Sequence, residues 1–376
     1  MIVHLHVTGG CNLRCDYCYA SPKTEARMDW NTARSALELA CSQPGDVHLV
    51  FFGGEPLLER ELLERVVAWC EQSSQPARFH FQLVTNGLLA DASFAQWAAE
   101  HQVSISVSLD GCQQAHDRHR RDPAGEGSWE RVTACIPVLR EHNPYLHVQM
   151  VISPDTAALL ADSVACVFAL GVRFISTALD HRAAWDGRSL RELQKAYRRT
   201  AALYQAKTLR GDRFFLSCFD SRIRTRVLGP CKRQERCSAG TQQWSVAPSG
   251  RIYPCVQFVG ADRGSHCAIG DVARGVDAEA LARFEADSEQ DKQECTGCAL
   301  LSRCPHWCAC VNWASTGSVR TVSPVLCEHE RILIPISDSV ATRLFQRRNS
   351  LFIHKHYHGA WPWLSAAEDA LEELAR

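Results

Sequence analysis

The sequence has no excess of charge of either sign: 41 Lys and Arg stand against 42 Asp and Glu, a formal net charge of -1. Binding a phosphate backbone draws on a strongly basic face, so nucleic acid is excluded as the default partner. No run of about 18 apolar residues occurs, which excludes a membrane-spanning helix. The stretch from Met1 to Gly10 has neither the basic nor the apolar region of a secretory signal, and the expected location is the cytoplasm. Internal repeats and low-complexity segments are also lacking. With 46% hydrophobic and 22% charged residues the chain can bury a proper core, and 376 residues suggest two or three domains.

What stands in excess is cysteine. Nineteen cysteines in a chain expected in a reducing compartment have little use as disulfides. Their odd number also fits a fully paired framework poorly. Such density argues for metal or iron–sulfur ligation, and the spacing then decides which.

Apolar runs bounded by turn residues alternate with amphipathic stretches up to about residue 180. Strands are predicted at Ile2–Val7, Val47–Phe52, Phe79–Val84, Val103–Ser108, Leu146–Ile152 and Arg173–Thr177. Between them the helical patterns are Trp30–Ala40, Leu57–Glu71, Asp91–Glu100, Trp129–Arg140 and Ala157–Phe168. Repeated strand–helix units imply a parallel sheet, hence an α/β fold with a partial (β/α)6 TIM-like barrel. The expected division is a barrel over 1–185, a helical linker over 186–230, a cysteine-rich domain over 231–330, and a helical, aromatic tail over 331–376. Small cysteine-dense modules of the third kind are commonly held by metal.

Directly after the first strand comes Cys11-Asn12-Leu13-Arg14-Cys15-Asp16-Tyr17-Cys18, a C-x3-C-x2-C loop. In a barrel this loop lies on the face where such folds do chemistry. Three thiolates on a four-iron cluster leave one iron open, unlike the four-thiolate ligation of an electron carrier. A zinc site would need a fourth ligand not visible nearby.

With Tyr17 as the aromatic before the third cysteine, this loop resembles the hallmark of the radical S-adenosylmethionine (SAM) superfamily. Gly53-Gly54-Glu55-Pro56, after the second strand, is similar to that family's GGE motif, which implies contact of Gly53, Gly54 and Glu55 with the SAM amino group. Thr85-Asn86-Gly87, Ser108-Leu109-Asp110-Gly111 and His116-Asp117-x-x-Arg120 resemble segments lining the SAM site, where Ser108 and Arg120 would face the cofactor. The cofactor performs the hard step, reductive formation of a 5'-deoxyadenosyl radical, while the protein orients and excludes.

The later cysteines read Cys237-x12-Gly250-x4-Cys255, then Cys295-x2-Cys298-x5-Cys304-x3-Cys308, with Cys327 closing the set. C-x2-C pairs are shared with zinc motifs. The complete pattern, however, resembles the SPASM domain, and Cys231 adds an eighth thiol at a spacing similar to that of anaerobic sulfatase-maturating enzymes. The resemblance implies two auxiliary [4Fe-4S] clusters besides the SAM-binding one. One would be held by Cys231, Cys237, Cys255 and Cys308, the other by Cys295, Cys298, Cys304 and Cys327. The remaining cysteines are core thiols by default, with Cys218, Cys267 and Cys310 closer to the clusters.

SPASM enzymes mostly modify peptides or proteins. Sulfatase-maturating members carry a YPCD-like segment whose Asp is the base, whereas this chain has Tyr253-Pro254-Cys255-Val256. Val256 cannot take a proton. The favoured expectation is therefore an oxidoreductase that matures a ribosomally synthesised peptide by an oxidative crosslink. Formylglycine formation is the alternative, and a non-catalytic electron carrier the third. A catalytic base is left unassigned, since Asp220, Asp262 and Asp271 are candidates by position only. A low-potential donor such as flavodoxin or ferredoxin is implied as partner. Because the first strand starts at residue 2, a leader peptide would dock elsewhere or through a separate leader-binding protein. The basic run Arg222, Arg224, Arg226, Lys232, Arg233 and Arg236 could meet an acidic leader, offset cluster charge, or be solvated surface. The segment from His354 to Trp363 reads as aromatic packing over a joint, or as a metal clip or peptide ledge.

Overall fold

The computed structural model describes the chain apart from residues 21, 74–78, 233–235, 264–266, 362–363, 368 and 370–376. Seven parallel strands follow one another in a single sheet: β1 (Ile2–Thr8), β2 (Val47–Gly53), β3 (Phe79–Thr85), β4 (Val103–Ser108), β5 (His147–Ile152), β6 (Phe174–Leu179) and β7 (Phe215–Leu216). The predicted strand at 103–108 coincides with β4, while β6 runs on to Leu179 beyond the predicted Thr177.

The sheet continues past the other side of β1. There β8 (Gln243–Val246) pairs with β1 in parallel. β9 (Arg251–Tyr253), β10 (Gly270–Asp271) and β11 (Gly275–Val276) follow as antiparallel neighbours. The order is β11-β10-β9-β8-β1-β2-β3-β4-β5-β6-β7, so the barrel is open between its two edge strands.

Side chains alternate across a strand, and here the alternation separates core from lumen. Val3, Leu5, Leu49, Phe51, Leu83, Ile105, Val148 and Ile175 are fully buried in the main core. The alternate positions His4, Phe52, Gln82, Gln149 and Ser176 line the concave side. That lumen mixes polar groups with apolar ones such as Val50, Val84 and Met150, and its polar groups bond to one another, for instance through Gln82 Nε2 donating to Ser106 Oγ at 3.0 Å. The helices Trp30–Cys41 and Ala92–Glu100 start on Asp caps that satisfy otherwise orphaned amides: Asp29 accepts from Thr32 N at 2.7 Å and Asp91 from Phe94 N at 2.8 Å. The predicted helix from Leu57 divides, because Pro56 opens a 3-10 turn over Pro56–Glu59 before the helix Arg60–Gln72.

The stretch expected as a linker holds a long helix, Gly187–Arg210, closed by Gly211 at φ 86°, then β7, which joins the barrel sheet, and a second helix, Ser217–Val227. Beyond it a second, much smaller core gathers Ala247, Tyr253, Cys255, Phe258, Val259 and Ala309. The basic run is partly tied down, although Arg224, Arg226, Lys232 and Arg236 are exposed. Arg222 pairs with buried Glu330, and Arg226 lies 3.3 Å from Asp338, both on the helix Pro324–Gln346. Arg236 stacks over Trp307, with its guanidinium 4.5 Å from the ring. Arg233 lies outside the described residues, as do Pro362, Trp363 and part of the predicted terminal helix Ala366–Arg376. The tail helix Ser350–Tyr357 packs on the barrel through Lys355, which donates to Phe214 O at 2.6 Å.

Candidate active site

The cysteine loop leaves β1 between two backbone clamps. Gly54 N donates to Thr8 O and Glu55 N to Gly10 O, both at 2.8 Å, so the end of β2 holds the start of the loop. Farther along, Arg14 N donates to Arg121 O at 2.6 Å. The thiols are not bare. Cys11 Sγ accepts from Leu13 N at 3.4 Å and Asn86 Nδ2 at 3.8 Å, and Lys23 Nζ donates to Cys18 Sγ at 3.0 Å. Burial pushes the Cys15 thiol up to about 11, opposed by the Arg120 cation.

The three thiols border a cavity of about 550 Å³ at the open end of the barrel. Tyr17, Gly53, Gly54, Glu55, Ser108 and Arg120, the residues expected to meet the cofactor, all line it. Glu55 is buried, and its carboxylate accepts from Thr85 Oγ1 at 2.7 Å, Asn86 N at 2.8 Å and Leu57 N at 3.1 Å. Burial raises its pKa, and these three donors act against that rise. Glu55 thus joins the ends of β2 and β3 while still facing the cavity.

Asp110, just past β4, is the hub that the motif reading quoted without a role. Its carboxylate accepts from Arg120 Nε at 3.0 Å, Arg120 Nη2 at 3.2 Å and Val151 N at 2.9 Å. The Tyr17 hydroxyl donates to it as well. One buried carboxylate therefore fixes the cysteine loop, the arginine and β5 together. Behind it, His116 Nδ1 accepts from Asp110 N at 3.3 Å, so the ring proton sits on Nε2, facing Ser128 Oγ at 2.8 Å. Burial and the neighbouring Arg120 hold the His116 pKa down to about 4, consistent with that neutral ring.

The opposite wall combines Asp180, His181 and Arg182, beyond β6, with Val256, Gln257 and Cys310 from the cysteine-rich part. Arg182 Nη2 donates to Gln257 Oε1 at 3.3 Å across this seam. Buried polar atoms normally find partners, yet the Tyr19 hydroxyl and His181 Nδ1 have none among the described residues. Burial lowers the pKa of His181 and of His4 to about 4, leaving both rings neutral at pH 7.

None of the three aspartates considered as bases lines this cavity. Asp220 is engaged by Tyr204 at 2.6 Å and Lys355 at 2.7 Å beside a different cavity. Asp262 accepts from Ser249, Arg251 and Tyr253, and Asp271 caps its own turn at Ala273 N. Lys23, Asn86, Asp110 and His181 were missed as site residues. Only Asn86 and Asp110 stood in quoted motifs, and nothing local marks Lys23 or His181.

The later thiols fall into two neighbourhoods. Cys237 feels the charges of Cys308 and Cys255, and Cys310 touches both of the latter. Cys295 neighbours Cys327 and Cys298, and Cys304 neighbours Cys327 and Cys295. Cys231 is partly exposed, close before residues 233–235. Among the described residues no three Cys, His, Asp or Glu side chains converge tightly enough for a single metal ion. A four-iron cubane spreads its thiolates over separate irons, and these all-sulfur donor sets suit it.

Residues 5–159 match the family model of the radical SAM superfamily. The chain therefore carries a radical SAM domain, which implies SAM and a [4Fe-4S] cluster. It is 24% identical over 269 residues to a cysteine-type anaerobic sulfatase-maturating enzyme of Clostridium perfringens, covering 67% of this chain and 73% of the relative. It is 22% identical over 372 residues to the radical SAM cyclopropyl synthase TigE of Paramaledivibacter caminithermalis, covering 93% and 75%. The match to the uncharacterized protein MJ0907 of Methanocaldococcus jannaschii, 29% identical over 172 residues, covers 46% of this chain and only 60% of that protein. The fold is similar to that of anSMEcpe with bound AdoMet and Cp18Cys peptide, with a TM-score of 0.75 at 20% identity over 92% of this chain and all of the other. No helix among the described residues is long and apolar enough to cross a membrane.

Proposed function

We propose that this chain is a radical SAM enzyme that oxidatively modifies a ribosomally synthesised peptide, by forming a crosslink within it. The observation that carries the reading is the single cavity shared by the cysteine loop, the residues around Glu55 and Arg120, and Val256, Gln257 and Cys310. Cofactor, substrate and an electron acceptor would meet there. When bound, the cluster and SAM supply a carbon-centred radical able to take hydrogen from an unactivated C–H bond. Cys11, Cys15 and Cys18 would hold that cluster, while Glu55, Ser108 and Arg120 orient SAM and Tyr17 packs beside it. The two later thiol groups would hold auxiliary clusters, and the lumen, with its mixed polar and apolar lining, would bind peptide. Relatives support a peptide substrate, since a structure of similar fold contains one.

Formylglycine formation is the second reading, favoured by the sulfatase-maturating relatives. Against it stands Val256, which lines the cavity but offers no proton acceptor.

Reconstituted and reduced protein given SAM alone is expected to release 5'-deoxyadenosine. Absence of that product would sink the radical reading. Adding a short peptide encoded beside the gene should then give a product two hydrogens lighter, linked between residues, and inert to a hydrazide probe. A hydrazide-reactive aldehyde on a sulfatase-type peptide would favour the second reading.

A further inference from the structure

Cys310 belongs to no ligand set above, yet it stands where two walls of the site meet. It lies two residues after Cys308, in the first turn of the helix Ala309–Thr316, and it lines the cavity with Val311 and Ala314. Its Sγ is 3.5 Å from Cys308 Sγ and also contacts the Cys255 thiol. We propose that Cys310 is a positioning residue whose one S–H donates a hydrogen bond to Cys308, or alternatively to Cys255, ligands of the cavity-side auxiliary cluster, and so raises that cluster's reduction potential. The proposal rests on the auxiliary-cluster reading given above.

Three observations separate a donor from a ligand. First, thiolates on different irons of one cubane point away from each other, so sulfurs in hydrogen-bond contact do not both ligate it. Second, Cys308 occupies the cap position directly before the helix Ala309–Thr316, where the positive end of the helix favours a thiolate, whereas Cys310 lies inside its first turn. Third, Cys310 has both the Cys308 and the Cys255 sulfur within reach, so its one S–H proton always finds a ligand sulfur as acceptor.

The consequence is electrostatic. A hydrogen bond to a ligating sulfur draws charge from it and stabilises the reduced, more negative cluster, one of the levers that set iron–sulfur potentials. Oxidising a substrate C–H removes one hydrogen atom, one proton and one electron. With Cys310 in place, the electron's acceptor is a [4Fe-4S] cluster on the cavity wall whose potential is raised to receive it. A wall without this thiol would hold a poorer acceptor.

The test needs no substrate. The reconstituted full chain, its Cys310→Ala and Cys310→Ser variants, and a Cys308→Ala control are assayed for iron and sulfide, then titrated redox-potentiometrically with EPR detection. Cys310→Ala is expected to keep the wild-type iron while one cluster signal moves to more negative potential. Cys310→Ser, which keeps a donor, should stay near wild type, and Cys308→Ala should lose iron. Loss of about four irons in Cys310→Ala would make it a ligand, and an unmoved potential would remove the tuning role. Either result overturns the proposal. Wild-type protein holding only about four irons would instead overturn the auxiliary-cluster reading beneath it.

Discussion

Replacing Gly54 with alanine is expected to strip the N-terminal loop of its cluster. A Cβ at this position would stand 1.8 Å from Gly10 O and 2.5 Å from Gly10 C, with Gly9 O at 3.0 Å. All three are backbone atoms of the cysteine loop, so no side chain can swing aside. The bonds Gly54 N to Thr8 O and Glu55 N to Gly10 O would break together, and Cys11 would move with them. Overpacking elsewhere costs about 1–3 kcal/mol, but here the cost falls on the geometry of a ligand. We expect Gly54→Ala to hold about four irons fewer per chain and to yield no 5'-deoxyadenosine. Gly187→Ala, which meets only the Arg191 side chain at 3.3 Å, is the control and should leave both unchanged.

Asp110→Ala is expected to be the most destabilising single change at the site. The carboxylate is 2% exposed, and the Arg120 side chain it holds is 9% exposed. Removing one partner of such a pair leaves an uncompensated buried charge, which costs about 3–5 kcal/mol. Val151 N and the Tyr17 hydroxyl lose their acceptor in the same step. Denaturant melts followed by circular dichroism should show the loss, and SAM affinity should fall with it as Tyr17 and Arg120 come free. Asp110→Asn, which keeps an acceptor oxygen, should lie between. A shift below about 1 kcal/mol, the range of exposed pairs, would mean that Arg120 is not held as described.

Much of this site is legible in the residues because its signals are local. Cys11, Cys15 and Cys18 lie within one loop, and strands such as β4 announce themselves by apolar alternation. The Gly53-Gly54 pair signals a close approach of backbone, but not to what. In the structure the nearest approach is to Thr8 and Gly10, more than forty residues earlier. Tyr17 and Asp110 meet across 93 residues, and Arg222 meets Glu330 across 108. Neither contact has a local pattern, so Asp110 went without a role and Arg222 looked like part of a free basic run. The two-residue strand β7 is too short for any period to show, and β8 was hidden within the cysteine-rich part although it extends the barrel sheet beside β1. Cys310 was one of several surplus thiols until its distance to Cys308 set it apart.

Eleven thiolates are proposed to hold three iron–sulfur clusters, one of them with an iron left open. Anaerobic purification and reconstitution followed by iron, acid-labile sulfide and zinc assays tests this ligation most directly. We predict about twelve irons and twelve sulfides per chain. Stoichiometric zinc with hardly any labile sulfide would contradict it.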